Sequence, residues 1–195
     1  MTTIRLAELG DAAACAAIYA PYVRETPISF ETVPPDASEM SRRFEKTSAR
    51  LPWLVAVEAG KVVGYAYAAP HNERAAYRFA VDSSVYIDVD ARLRGHGRRL
   101  YRVLFALLER QGFVAVHAGI TLPNAASVAL HEGFGFEPVG VYRGVGFKLG
   151  AWHDVGWWQR PLVPRTARPS EPRAISELTG EADLAGLFET STLGG

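Results

Sequence analysis

The chain has 195 residues, 48% of them hydrophobic and 22% charged, which is enough apolar material for one domain with a packed core. Its 21 basic and 21 acidic residues cancel to a formal charge of +0, which excludes a nucleic-acid binder working through a global positive field. A single cysteine, Cys15, excludes an intrachain disulfide framework, and no run approaches the roughly 18 apolar residues of a membrane span.

Taken in chain order, "TIRLAEL" alternates as a short strand. Asp11 is placed to cap a helix running to about Ala20, where Pro21 disturbs it. Cys15 falls on the apolar face of that helix and reads as a buried, inert thiol. "TPISFETVPP" is a loop with Phe30 at its middle, and "DASEMSRRFEK" is a second helix started by Asp36 or Ser38. "PWLVAVEAGKVVGYAYAAP" reads as a hairpin turning at Ala59 and Gly60. "HNERAAYRFA" is a polar interruption carrying Arg74 and Tyr77, and "VDSSVYIDV" is a further strand.

"ARLRGHGRRL" follows, with Gly95 and Gly97 set among Arg92, Arg94, Arg98 and Arg99. Leu100, Val103, Leu104, Leu107 and Leu108 then recur at helical spacing until Gly112 ends the helix. A glycine-rich loop opening a helix presents unpaired backbone N–H groups and the positive end of the helix dipole. Phosphate oxygens can approach such a backbone closely. The spacing is neither a Walker loop nor G-x-G-x-x-G, because Leu100 stands where a third glycine would be.

"FVAVHAGI" is a strand, and "PNAASVALHEGFGF" is a short helix with Asn124 at its start and Gly133 near its end. "EPVGVYRGVGFKL" and "HDVGWWQR" close the fold as an antiparallel pair of strands. The order β-α-α-β-β-β-α-β-α-β-β predicts a mixed α/β domain, with a mostly antiparallel sheet flanked by helices, over residues 1–162. Residues 163–195 begin with the Pro-rich "VPRTARPSEPR" and read as a linker and tail. "ISELTGEADLAGLF" in that tail is weakly helical, and its docking is left open. His71, His117 and His153 show no metal-binding spacing, and no cysteine or carboxylate cluster suggests a metal.

Strand, glycine loop and amphipathic helix together resemble the acyl-CoA-binding core of the GCN5-related N-acetyltransferases (GNAT). Arg92, Gly95 and Gly97 match the signature [QR]-x-x-G-x-[GA]. Asn124, Ser127, Leu130, His131, Gly135 and Phe136 match the second cofactor element of that superfamily. Over roughly residues 3 to 162 the chain is similar to phosphinothricin and methionine sulfoximine N-acetyltransferases, with "GFKLGAWHDVGWWQR" the most specific stretch.

The resemblance implies an acetyl-CoA co-substrate held by Val85, Tyr86 and Ile87, by Leu93, Arg94, Gly95, His96, Gly97 and Arg98, and by Asn124. One backbone N–H of the Val85–Ile87 strand would serve as an oxyanion donor. His96 is expected to face solvent or a phosphate. Asp82 stands where the similar enzymes carry glutamate, which makes it a candidate base or relay. His131 falls at the position of the superfamily's acid and is a second catalytic candidate. Phe30, Arg74 and Tyr77 are the implied substrate contacts, with Arg74 suited to a carboxylate. The expected reaction is direct acetylation of the α-amino group of a small amino-acid-like compound. Acetylation of a protein or peptide amine, and a non-catalytic acyl-CoA sensor, are the alternatives. A cytoplasmic homodimer without nucleic-acid or membrane partners is expected, its interface formed by exposed Trp and Phe near residues 147 to 158.

Overall fold

A computed structural model describes residues 2–180 and 184–190. Seven strands form one sheet: β1 (Thr2–Leu6), β2 (Trp53–Glu58), β3 (Lys61–Pro70), β4 (Ala80–Ile87), β5 (Ala115–Leu122), β6 (Glu137–Lys148) and β7 (Ala151–Pro161). Their order is β1-β2-β3-β4-β5-β7-β6, and every adjacent pair is antiparallel except β4 and β5. The helices are α1 (Ala12–Glu25), α2 (Ala37–Thr47), α3 (His96–Gln111), α4 (Ala125–Glu132), α5 (Ile175–Leu178) and α6 (Leu184–Thr190). The order expected from the sequence over residues 1–162 is the order found.

Alternation along the strands sends successive side chains to opposite faces. On one face Leu54, Ala56, Ala66, Ala68, Val81 and Val116 pack against Leu100, Leu104, Leu107 and Leu108 of α3. On the other face Trp53, Val55 and Tyr65 pack against Cys15, Ile18 and Tyr19 of α1 and Met40 and Phe44 of α2. Burial pushes the Cys15 thiol up to about 12, so it stays protonated and inert.

Two local expectations are corrected. Asp11 does not cap α1. Its carboxylate accepts two hydrogen bonds from the Arg5 guanidinium, at 2.6 and 2.8 Å, and one from the Glu8 N–H. Nor does α1 stop before Pro21; it continues through the proline to Glu25. An internal proline costs a helix about 3 kcal/mol. The last turn buries Tyr22 and Val23, each worth roughly 1.5–3 kcal/mol, which offsets that cost.

The feature that positions the site is a divergence in mid-sheet. The parallel pairing of β4 with β5 runs only from Ala80–Ala115 to Asp82–His117. Beyond that point β4 continues to Ile87 and β5 to Leu122 without pairing with each other, so the β5-facing edge of residues 83–86 is open, while at Ile87 the Tyr22 hydroxyl donates to the carbonyl and accepts from the N–H. Antiparallel bonding to β3 continues on the other edge through Gly64–Ile87. Past the sheet, Ile175, Leu178 and Leu184 of the tail are buried in the same core cluster as α3. Gln111 at the end of α3 donates from Nε2 to the carbonyls of Arg50 and Arg173, both at 2.7 Å.

Candidate active site

The glycine loop leads out of the open edge of β4. Leu93 (φ 62°) and Gly95 (φ 79°) both occupy the left-handed region, which a glycine enters without strain. Together they turn the chain sharply into α3, whose start at His96 has no side-chain cap. Its first-turn N–H groups therefore keep their capacity to bind an anion. The Leu93 side chain is fully exposed. Gly97 packs instead: a Cβ there would lie 3.7 Å from Leu130 and 3.8 Å from Val85. Arg92 lies over the Tyr22 ring at 4.8 Å, Arg98 over the Phe134 ring at 5.7 Å, and Arg94 reaches Glu58 at 3.3 Å. His96 does not face solvent. It is 3% exposed with neither ring nitrogen hydrogen-bonded, and burial lowers its pKa. It begins a helix packed on the core, so its ring turns inward.

The wedge between the diverging strands is a small cavity lined by Ser83, Val85, Tyr86, Tyr101, Ile120, Asn124, Ser127 and His131, among others. Asn124 caps α4 through its Oδ1, which accepts from the Ser127 N–H at 3.1 Å. His131 is 4% exposed, and its Nδ1 lies 2.8 Å from the Ser127 carbonyl. A carbonyl only accepts, so Nδ1 carries the proton and Nε2 is the acceptor. Tyr101 Oη, 3.1 Å away, therefore donates to Nε2. Burial lowers the His131 pKa and raises that of Tyr101, so both rest neutral. Tyr101 is a wedge residue that sequence reading missed, because its place in the apolar stripe of α3 looks purely structural.

Asp82 sits at the vertex, the last β4 residue paired with β5. It shares the α1 and α2 face of the sheet with His117. Asp82 Oδ1 is 2.6 Å from His71 Nδ1. The His71 ring stacks on His117 (4.2 Å, 23°), meets Trp157 edge-on (5.8 Å, 87°) and tilts toward Tyr77 (5.9 Å). Desolvation raises the Asp82 pKa against the opposing pull of His71 and His117. Burial, reinforced by His71, lowers that of His117. One ligand-type atom from each of His71, Asp82 and His117 lies within 4.8 Å of the others. Within this group the Asp82 carboxylate is already engaged by His71 Nδ1.

The three expected substrate contacts are not gathered into one cavity. Arg74 lines a cavity of about 600 Å³ with Tyr19, Tyr65, Tyr67, Trp53 and Arg43. Tyr77 turns toward His71 instead. Phe30 lies 6.4 Å from the His153 ring and directly over Gly146, where a Cβ would overlap it. The loop carrying Phe30 is fixed on both sides. Ser29 Oγ pairs with Tyr19 Oη at 2.6 Å, and its carbonyl accepts from the buried Lys148 ammonium. Glu31 accepts two bonds from Arg43, at 2.8 and 3.0 Å. His71, His117 and Trp157 join Asp82 only through the sheet register, and no local sequence signal links them.

Residues 4–157 match the family model described as "Acetyltransferase (GNAT) domain". The phosphinothricin N-acetyltransferase of Streptomyces viridochromogenes is 42% identical over 170 residues, covering 85% of this chain and 93% of that protein. An L-methionine sulfoximine/L-methionine sulfone acetyltransferase of Pseudomonas aeruginosa is 35% identical over 86% of this chain and 98% of its own length. A crystal structure of a GNAT superfamily phosphinothricin acetyltransferase from Sinorhizobium meliloti in complex with AcCoA superposes with a TM-score of 0.84 at 36% identity, covering 88% and 95% of the two chains.

Proposed function

The chain belongs to the GNAT acetyltransferase family and is an acetyl-CoA-dependent N-acetyltransferase, and from that premise we propose that its acceptor is the α-amino group of a small amino-acid-like compound. Phosphinothricin, methionine sulfoximine and methionine sulfone are the type. The observation that carries the reading is the open edge of β4 running into the uncapped start of α3. It supports a coenzyme whose diphosphate lies on the N–H groups of residues 93–98 and whose pantetheine runs along Val85, Tyr86 and Ile87. The thioester then enters the wedge beside Asn124, and a β4 N–H polarises its carbonyl.

On this reading the amine arrives from the α1 and α2 face, where Asp82 stands. Arg74 takes the substrate carboxylate, a pairing suited to its planar fork. Phe30 and Tyr77 bound the acceptor. The departing thiolate meets the Tyr101 hydroxyl, with His131 holding it from behind. Attack is direct, within a ternary complex. Cys15 is buried in α1 as a protonated thiol, which leaves no cysteine carrier for the acetyl group.

The exposed apolar side chains of β6 and β7, Val141, Tyr142, Phe147 and Trp152 among them, support a homodimer through that face. Sedimentation would read the pair. The lone buried cysteine supports a cytoplasmic setting. Among the described residues no helix is long and apolar enough to cross a membrane.

The test is thiol release from acetyl-CoA across a panel of amino acid analogues and peptides. Arg74→Ala should raise KM for a free amino acid about 10- to 100-fold, the loss of a charge-assisted bond. No turnover with any small amine overturns the proposal. Unchanged KM in Arg74→Ala, with turnover of peptide amines, would assign the acceptor to proteins.

A further inference from the structure

We propose that His71, held by Asp82, is the base that deprotonates the acceptor amine, with Asp82 orienting the ring rather than taking the proton itself. The inference rests on the amine-acetylation reading above and concerns the same site.

The geometry is that of an oriented imidazole. Asp82 Oδ1 lies 2.6 Å from Nδ1, so an ionised carboxylate fixes the proton on Nδ1 and leaves Nε2 as the basic atom. The ring has little freedom to turn away. His117 stacks on one face at 4.2 Å and Trp157 stands against it at 87°. Each holding group comes from a different strand: Asp82 from β4, His117 from β5 and Trp157 from β7. His71 itself follows directly on β3, and its N–H donates to the Ala80 carbonyl, so backbone as well as side chain is tied to β4. The dyad sits at the vertex where β4 and β5 part, the point where the wedge opens. The side chains of His71 and Asp82 are 25% and 30% exposed, so the pair is reachable from outside.

An imidazole is also the better base for the task. A carboxylate ordinarily near 3.9 differs from an amine by several pH units, whereas imidazole near 6.5 differs by far fewer. The carboxylate opposite Nδ1 stabilises the imidazolium as it forms, as in other His-Asp pairs. The titratable groups facing the ring are Asp82, His117 and, from the turn at residues 75–77, Tyr77.

The protons balance as follows. The acceptor ammonium gives one proton to His71 Nε2, which passes it to solvent. The free amine forms the N–C bond to the acetyl carbon while the C–S bond breaks. The second proton leaves the nitrogen and ends on the coenzyme sulfur. Ammonium and acetyl-CoA thus become amide, free thiol and one released proton.

The experiment compares pH-rate profiles of the intact protein, His71→Ala, His71→Gln, Asp82→Asn and the double variant His71→Ala/Asp82→Asn. The amine used is whichever the wild type turns over. Acetyl-CoA binding by calorimetry reports folding in each. We expect His71→Ala and His71→Gln to lose about 10²- to 10⁴-fold in kcat, the usual worth of a general base. KM for acetyl-CoA should hardly move, and the acidic limb of kcat/KM should vanish. Added imidazole should restore part of the rate in His71→Ala but not in Asp82→Asn. The double variant should be no slower than His71→Ala alone, because the two residues act as a unit. A His71→Ala enzyme within about threefold of wild-type kcat, with its acidic limb in place, overturns the proposal and returns the base role to Asp82. A wild type that acetylates no amine overturns the acetylation reading, and this proposal with it.

Discussion

His131 enters the folded state neutral, and that has a measurable consequence. Its Nδ1 proton is committed to the Ser127 carbonyl and its Nε2 to the Tyr101 hydroxyl, and burial lowers its pKa below the ordinary 6.5. The unfolded chain therefore binds a proton near pH 6.5 that the folded chain refuses. Stability is full above that pH and is lost as pH falls below it, at no more than about 1.4 kcal/mol per pH unit per group. His96 and His117 are lowered by burial too and add slopes of the same sign. Thermal unfolding followed from pH 7.5 to 5.5 should be flatter in His131→Gln than in the wild type, whatever the absolute stability of the variant. An equal slope would mean that the ring charges within the fold. At this scale, legibility depended on distance along the chain. Arg92, Gly95, Gly97 and Asn124 belong to local patterns, and a pattern is visible in sequence. His71 and Asp82 are 11 residues apart on different segments, and only the β3 to β4 register of Ala69 with Asp82 brings them together. The inward turn of His96 was invisible for the opposite reason: "RGHG" advertises a loop, while the ring belongs to the first turn of a buried helix.

Elements were legible where one physical signal dominated. Apolar spacing located α3, and the left-handed Gly112 (φ 89°) ended it, as the sequence implied. The Pro21 expectation failed because local propensity competed with burial of Tyr22 and Val23, and burial won. Phe30 shows a subtler coupling. Its loop is pinned to α1 through Tyr19, to α2 through Arg43 and to the end of β6 through Lys148, and its ring occupies the space over Gly146. The glycine thus shapes a loop more than 100 residues earlier in the chain. Gly146→Ala should swing the exposed Phe30 ring aside at a cost of about 1 kcal/mol or less, visible as a slightly lower denaturation midpoint. If Phe30 bounds the acceptor, KM for the amine rises in the same variant while calorimetric affinity for acetyl-CoA stays put. An unmoved KM would remove Phe30 from the acceptor site while leaving the packing argument standing.

At the scale of the molecule, α3 joins two regions with separate duties. Its first turn follows the glycine loop; its last residue, Gln111, binds the tail through Arg173 and the α2 to β2 connection through Arg50. A helix of 16 residues spans about 24 Å, so the two ends do not share contacts. The Pro-rich segment after residue 162 left the docking of the tail open, and Ile175, Leu178 and Leu184 are buried with Leu104 and Leu108 in one cluster. Four-residue α5 has no helical stability of its own. Its conformation is held by burial and by the Ile175 N–H bond to the Arg50 carbonyl. Leu178 is fully buried, so Leu178→Ala should cost about 2–5 kcal/mol in chemical denaturation, the range for a core leucine cavity. The variant should bind acetyl-CoA as the wild type does wherever both are folded, because the cavity opens at the far end of α3. A loss of coenzyme affinity in the folded variant would mean that the tail and the glycine loop are energetically coupled along the helix, and that the two ends of α3 do not have separate duties. A cost near zero would mean that the tail leaves the core in solution at little expense.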